Sequence, residues 1–144
     1  MIERSAKTPY RIAVYGTGWD RAANLPSTWD FFGPVDYMQQ FDAFGNSRFT
    51  VNLDPNWSHG VHDRVFNAMT MRTAVITNTN TFTNLFFDEG NDHIGYEGIT
   101  DAMDRLEENF NRSEEIAENA SRLCKLHMSW SKRAQTLISL SENQ

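Results

Sequence analysis

The chain of 144 residues has one cysteine, four prolines and no long apolar run, and it carries 13 basic against 19 acidic side chains. Each shortage removes a class of protein. The lone Cys124 cannot close an internal disulfide, which removes the small disulfide-stapled domains and fits a reducing, cytoplasmic setting. No apolar stretch approaches the roughly 20 residues that span a bilayer, and the opening Met1-Ile-Glu-Arg-Ser-Ala-Lys7 is too polar for a secretory signal, so no membrane span is expected. A net charge of −6, much of it between Asp101 and Glu118, repels nucleic acid and anionic lipid as partners. The histidines, His59, His62, His93 and His127, stand in separate segments without ligand spacing, so no metal is expected. No Ser/His/Asp, Cys/His or paired-carboxylate set marks a hydrolytic centre, and the catalytic residues are unknown at this level. What is present, 40% apolar and 12% aromatic residues, excludes a disordered chain and suits a single domain over residues 1–144.

Arg11–Gly16 and Trp29–Gly33 read as strands on either side of a loop from Asp20 to Ser27. Val35, Met38, Phe41 and Phe44 recur at helical spacing between Pro34 and Gly45, which predicts a helix over Val35–Phe44. Phe49–Leu53 reads as a buried strand. A helix follows from Asp63, placed as its N-cap, to about Arg72, with Val65, Phe66 and Met69 on its apolar face. Thr73–Thr77 is the next strand, Thr81–Phe87 a short helix and His93–Tyr96 a last strand. The remainder is helical. Ile99, Met103, Leu106 and Phe110 form one face, and Asn111 with Glu114 looks like the capped start of a second helix turning Ile116, Ala120 and Leu123 inward. A third helix begins near Ser129 and lines up Trp130, Ala134, Leu137 and Ile138. Alternation of strand and helix over the first two thirds predicts an α/β fold, a parallel sheet flanked by helices with a helical C-terminal third.

The most informative segment runs from Asn52 to Met69, where an apolar strand empties through a glycine-bearing polar turn into a helix. The leading N–H groups of such a helix have no partner inside it and, with the helix dipole, attract phosphate or carboxylate. His62 and Arg64 add side-chain donors, and the planar guanidinium can grip two phosphate oxygens at once. Asn67 falls one turn after Asp63 on the Arg64 side, where it can reach the same ligand. Open parallel sheets bind ligands beyond the carboxyl ends of their strands. Gly16-Thr17-Gly18 and Asn78-Thr79-Asn80-Thr81 fall at the same end, the glycines as a loop close to a phosphate and Asn78 and Thr79 as polar groups for sugar or phosphate. A plainer role stands beside each: Asp63 capping the helix and pairing with Arg64, the glycines only turning the chain, Asn78–Thr81 capping a turn, and Trp19 packing in the core.

Val14-Tyr-Gly-Thr-Gly-Trp-Asp20, Phe32-Gly-Pro-Val-Asp-Tyr37, Val51-Asn-Leu-Asp-Pro55, Gly60-Val-His-Asp-Arg-Val-Phe-Asn-Ala-Met69, Ala74-Val-Ile-Thr77, Leu85-Phe-Phe-Asp-Glu-Gly90 and His127-Met-Ser-Trp-Ser-Lys-Arg133 carry a family likeness, of which the Gly60–Met69 block is the specific part. Through these stretches the sequence resembles the C-terminal half of GT-B fold glycosyltransferases of the group 1 type, in particular the CgeB-like branch. The resemblance implies a Rossmann-like, donor-binding half of a transferase whose substrate is a nucleotide-diphosphate sugar, with no cofactor. Gly60 and His62 would lie beside the diphosphate, Arg64 would act as counter-charge, and Gly16 and Gly18 would let the first loop approach sugar or phosphate.

The departures from that pattern are specific. Family members commonly have two glutamates eight positions apart, and those positions read His59 and Asn67 here. Where the helix normally leads into the next strand through a glycine, this chain has Arg72. The acceptor half is expected in cis or trans, and a donor half alone is expected to bind weakly and turn over little, since juxtaposed reactants supply much of the acceleration. Apolar surface at Phe31–Phe32 and the last helix offers a route to self-association. The alternative is a non-catalytic nucleotide or protein interaction module that retains the fold; a flavodoxin-like or regulator-like domain lacks its flavin or phosphoacceptor loop here.

Overall fold

The computed structural model describes residues 9–19, 26–53, 58–98 and 100–142. Most of the expected Asp20–Ser27 loop, Asp54 to Trp57 and Ile99 lie outside them. Five strands and six helices follow one another among the described residues: β1 (Ile12–Tyr15), β2 (Trp29–Gly33), α1 (Gln39–Gly45), β3 (Phe49–Asn52), α2 (Asp63–Thr70), β4 (Ala74–Asn78), α3 (Thr81–Phe86), β5 (Ile94–Tyr96), α4 (Ala102–Asn109), α5 (Ser113–Leu123) and α6 (Trp130–Glu142). This is the α/β class read from the sequence, with parallel strands, flanking helices and a helical C-terminal third. The parallel strands divide into two sheets, β1–β2 and β3–β4–β5. Their facing edges line a cavity of about 820 Å³ bounded by Val14, Tyr15, Phe49, Leu53, Arg64 and Phe110.

A run such as Ala74-Val-Ile has no polar side, so a strand built from it must be covered on both faces. In β4, Ala74 and Ile76 point to one core with Ile94, Tyr96, Met103, Leu106 and Ile116. Val75 points to the other, with Val65, Ala68, Met69, Phe87 and Ala120. The parallel pairing sets Phe49 opposite Ala74 and Ile76 opposite Ile94. A slip of one residue would exchange the two faces, so burial fixes the register. Cys124 lies in the second core with its sulfur 3.8 Å from Met69 Sδ, and burial pushes the thiol pKa up to about 11.

Local chemistry moves several element ends from where spacing alone puts them. Asp36 Oδ1 accepts the N–H groups of Met38 and Gln39, each at 2.8 Å, so a side-chain-closed turn occupies the start of the expected Val35–Phe44 helix and α1 begins at Gln39. Asn111 caps nothing: a 3-10 turn over Phe110–Arg112 carries α4 straight into α5, whose start has no side-chain cap. The apolar face of α6 exists as read, but no residue of that helix is buried, and Trp130 is 82% exposed.

The end of α2 explains Arg72. Thr73 N–H donates to Ala68 O at 3.0 Å and Arg72 N–H to Met69 O at 3.1 Å, the paired bonds of a Schellman ending. Such an ending needs a left-handed residue, and Arg72 takes it at φ 60°, the one non-glycine with positive φ among the described residues. Its guanidinium meets Glu118 at 3.2 Å on the surface, a contact worth little in water. Arg72→Gly is therefore expected to raise stability by about 0.5–1 kcal/mol in urea unfolding; a lowered midpoint would mean that the Glu118 pair outweighs the backbone strain.

Candidate functional site

Because β3, β4 and β5 are parallel, their carboxyl ends open on one edge, and hydrogen bonds tie those ends together. Asn52 Nδ2 donates to Thr77 Oγ1 at 3.0 Å, Tyr96 Oη to Asn52 O at 2.8 Å, and Thr79 N–H to Tyr96 O at 2.8 Å. The loops after β3 and β4 are thereby set side by side, and the expected site residues of both loops lie there.

The turn into α2 differs from expectation in its cap. His62, in extended conformation, is the N-cap, and its Nδ1 accepts the Arg64 N–H at 3.3 Å; Asp63 is already the first helical residue. The same ring nitrogen also contacts Asp63 Oδ1. One nitrogen cannot serve both at once: a neutral ring accepts from Arg64, whereas a ring protonated there donates to the carboxylate. The Asp63 carboxylate therefore does not close the helix start, as a cap there would have done, although its charge remains in the first turn. Arg64 is exposed and borders the cavity beside Tyr15 and Leu53. Asn67, half-buried one turn on, has an Nδ2 shielded from solvent with no hydrogen-bond partner among the described residues.

Gly60 is held from the neighbouring loop, its carbonyl accepting from Asn80 Nδ2 at 2.9 Å, and His59 Nδ1 lies 3.2 Å from Thr81 Oγ1. Asn78 ends β4 with its Oδ1 buried and without a hydrogen-bond partner among the described residues, while Thr79 is exposed. Gly16 and Gly18 take φ of 122° and 88°, conformations that favour glycine, and Gly16 N–H donates to Gly33 O at 2.7 Å. Their loop follows β1, and Tyr15 and Trp19 on either side of it line the cavity, whereas the two glycines do not. Trp19 packs edge-on to Trp29 at 6.2 Å but is 37% exposed, so it is not part of the core.

Two residues were not singled out from the sequence. Asn80 was read only as part of a polar turn, although Thr83 three positions later is the capping signal that the structure realises. Glu89 had no visible signal, because the turn before β5 folds its carboxylate back onto His93 and Gly95 and α4 brings Arg105 to it, an arrangement with no helical or strand period. Its Oε2 accepts Gly95 N–H at 2.6 Å and stands 3.3 Å from Nε2 of the buried His93, while Oε1 meets Arg105 Nη2 at 2.5 Å. A Cβ on Gly95 would stand 2.6 Å from Glu89 Oε2 and 2.8 Å from Thr79 Oγ1, so this carboxylate and the site's Thr79 converge over one glycine. Gly95→Ala is expected to lower stability by roughly 1–3 kcal/mol in chemical denaturation; an unchanged midpoint would mean that Glu89 is not held there. No group of three or more His, Cys, Asp or Glu side chains among the described residues is placed to hold a metal ion, and no helix among them is long and apolar enough to cross a membrane.

The family described as "Glycosyl transferase-like" matches residues 1–139. Among solved structures, HepE of Anabaena, crystallised in complex with UDP-glucose, superposes with a TM-score of 0.71 at 13% identity, covering 98% of this chain and 44% of that one. AviGT4, a glycosyltransferase involved in avilamycin A biosynthesis, superposes with a TM-score of 0.54 at 19% identity over 78% of this chain and 37% of its own. At these identities the likeness establishes the fold, and the chain spans less than half the length of either protein. No curated protein sequence matches it.

Proposed function

This chain belongs to the glycosyl transferase-like family, and on that premise we propose that residues 1–144 are one domain, the C-terminal, donor-binding half of a GT-B glycosyltransferase of the CgeB-like branch. Its ligand is a nucleotide-diphosphate sugar, and an acceptor half in cis or trans completes the cleft. The observation that carries the reading is the meeting of the Gly60–Arg64 turn with the Asn78–Thr81 loop at the carboxyl ends of parallel strands. There Arg64 stands at the rim as counter-charge, and the start of α2, whose Arg64 N–H is held by His62, turns the positive end of its dipole to the diphosphate. Gly16 and Gly18 would let the loop after β1, flanked by the cavity-lining Tyr15 and Trp19, approach the sugar or phosphate. HepE was crystallised with UDP-glucose, which makes that donor the natural first ligand. During transfer these donors would stabilise the nucleotide diphosphate as it leaves. A protein with its lone thiol buried suits the cytoplasm.

Asn67 tunes the site. A carboxylate at this position could accept two ribose hydroxyls, whereas an amide offers one acceptor and two donors, and the Asn67 Nδ2 is buried without a partner among the described residues. One observation favours the rival reading of a non-catalytic module: His59 and Asn67 stand where the family's two glutamates are expected.

Calorimetric titration with UDP, GDP and their sugars separates the two. A donor half binds at millimolar concentration or tighter, and Arg64→Ala weakens binding by roughly 10- to 100-fold, the worth of a hydrogen bond to a charged group. Flat titrations at high ligand concentration would leave the interaction module standing. Asn67→Glu is expected to tighten nucleotide binding by roughly threefold to tenfold; unchanged or weaker affinity would remove the ribose assignment.

A further inference from the structure

Asn80 uses both ends of its amide. Its Oδ1 accepts the N–H groups of Phe82 at 2.8 Å and Thr83 at 3.1 Å, capping α3, while its Nδ2 donates to Gly60 O at 2.9 Å. Thr83 Oγ1 completes the cap by accepting the Asn80 N–H at 2.9 Å. A helix of six residues needs a cap, but the cap does not need an amide: Asp, Ser and Thr all supply the acceptor oxygen. Only asparagine supplies that oxygen together with a donor of the same reach.

The donor goes to the carbonyl that opens the anion turn. Fixing the Gly60 carbonyl toward α3 fixes the plane of the Gly60–Val61 peptide, and in a trans peptide the Val61 N–H then points the opposite way. Val61 is buried in the second core, so the turn is anchored at two successive residues before His62 opens α2. The contact between His59 Nδ1 and Thr81 Oγ1 adds a second stitch between the same loops.

We infer that Asn80 is a positioning residue for donor binding: it does not touch the ligand but clasps Gly60 so that the α2 turn is held in its diphosphate-binding shape. The inference rests on the donor-half reading above. Its test is Asn80→Asp in the full chain, titrated with UDP-glucose and with UDP and paired with a thermal melt. Asp keeps the cap and removes the donor, so the melting temperature should hold while affinity falls roughly tenfold, about the worth of one hydrogen bond. Asn80→Ser, which also caps but adds no charge near the diphosphate, should lose affinity equally and serves if the first variant folds poorly; a loss confined to Asn80→Asp assigns the effect to charge repulsion and overturns the inference. Thr83→Val breaks the reciprocal cap without touching Gly60; it should lower the melting temperature and leave affinity unchanged. Wild-type affinity in Asn80→Asp, or an equal affinity loss in Thr83→Val, overturns the inference while the donor-half reading stands. No binding by the wild-type chain removes that reading, and the inference with it.

Discussion

The double-sided burial of β4 is the constraint on which the rest depends. Ala74, Val75 and Ile76 are each fully buried, with neighbouring side chains facing opposite cores. A strand covered on both faces cannot slide in register or turn over, and its parallel neighbours must end on the same edge. The loops after β3 and β4 are therefore brought together by packing that has nothing to do with a ligand. Function, on the reading proposed here, occupies a place that the core had already made.

At that edge, polar side chains take over from apolar ones. The Asn52–Thr77 bond and the Tyr96 hydroxyl on Asn52 O bind the strand ends, and Asn80 and His59 fasten the Gly60 turn to α3. The two bonds between the strand ends are buried and costly to break, because each would leave an unsatisfied group behind, whereas the Asn80 and His59 contacts are partly or wholly open to solvent and set the turn's shape more than the fold's stability. The proposed donor-binding surface is thus held by hydrogen bonds on a sheet held by apolar contact. Asn67 Nδ2 and Asn78 Oδ1 lack partners in this network among the described residues, and both sit on the elements that line the site.

Elements with a strong period were legible in the sequence, and their junctions were less so. The alternation that gave β3, α2, β4, α3 and β5 arises from burial, which hydropathy reports directly. The cap at His62 was assigned to Asp63 because aspartate is the commoner cap, whereas the chain there enters the helix one residue earlier. Asp36 delayed α1 through a side-chain bond to backbone, and Asn111 lost its capping role to a continuous 3-10 turn. Separation into two sheets could not be read, because it depends on whether β1 and β3 meet, and neither strand encodes that alone. At the site, Arg64 and Gly60 were visible through local pattern. The Asn80 clasp joins positions 20 apart and the Glu89 contacts run from a local turn to α4, neither following a helix or strand period, so no spacing rule reaches them.

Arg72 shows the same division of labour. Its left-handed backbone is set by the α2 ending, yet the residue that stands there is one that strains to adopt it. The most direct test of the central claim is amide chemical-shift mapping by NMR as UDP-glucose is added. The account predicts that the amides of Val61 to Val65 and Thr79 to Thr81 shift together with a single affinity. Shifts confined to other surfaces, or none at saturating donor, would contradict it.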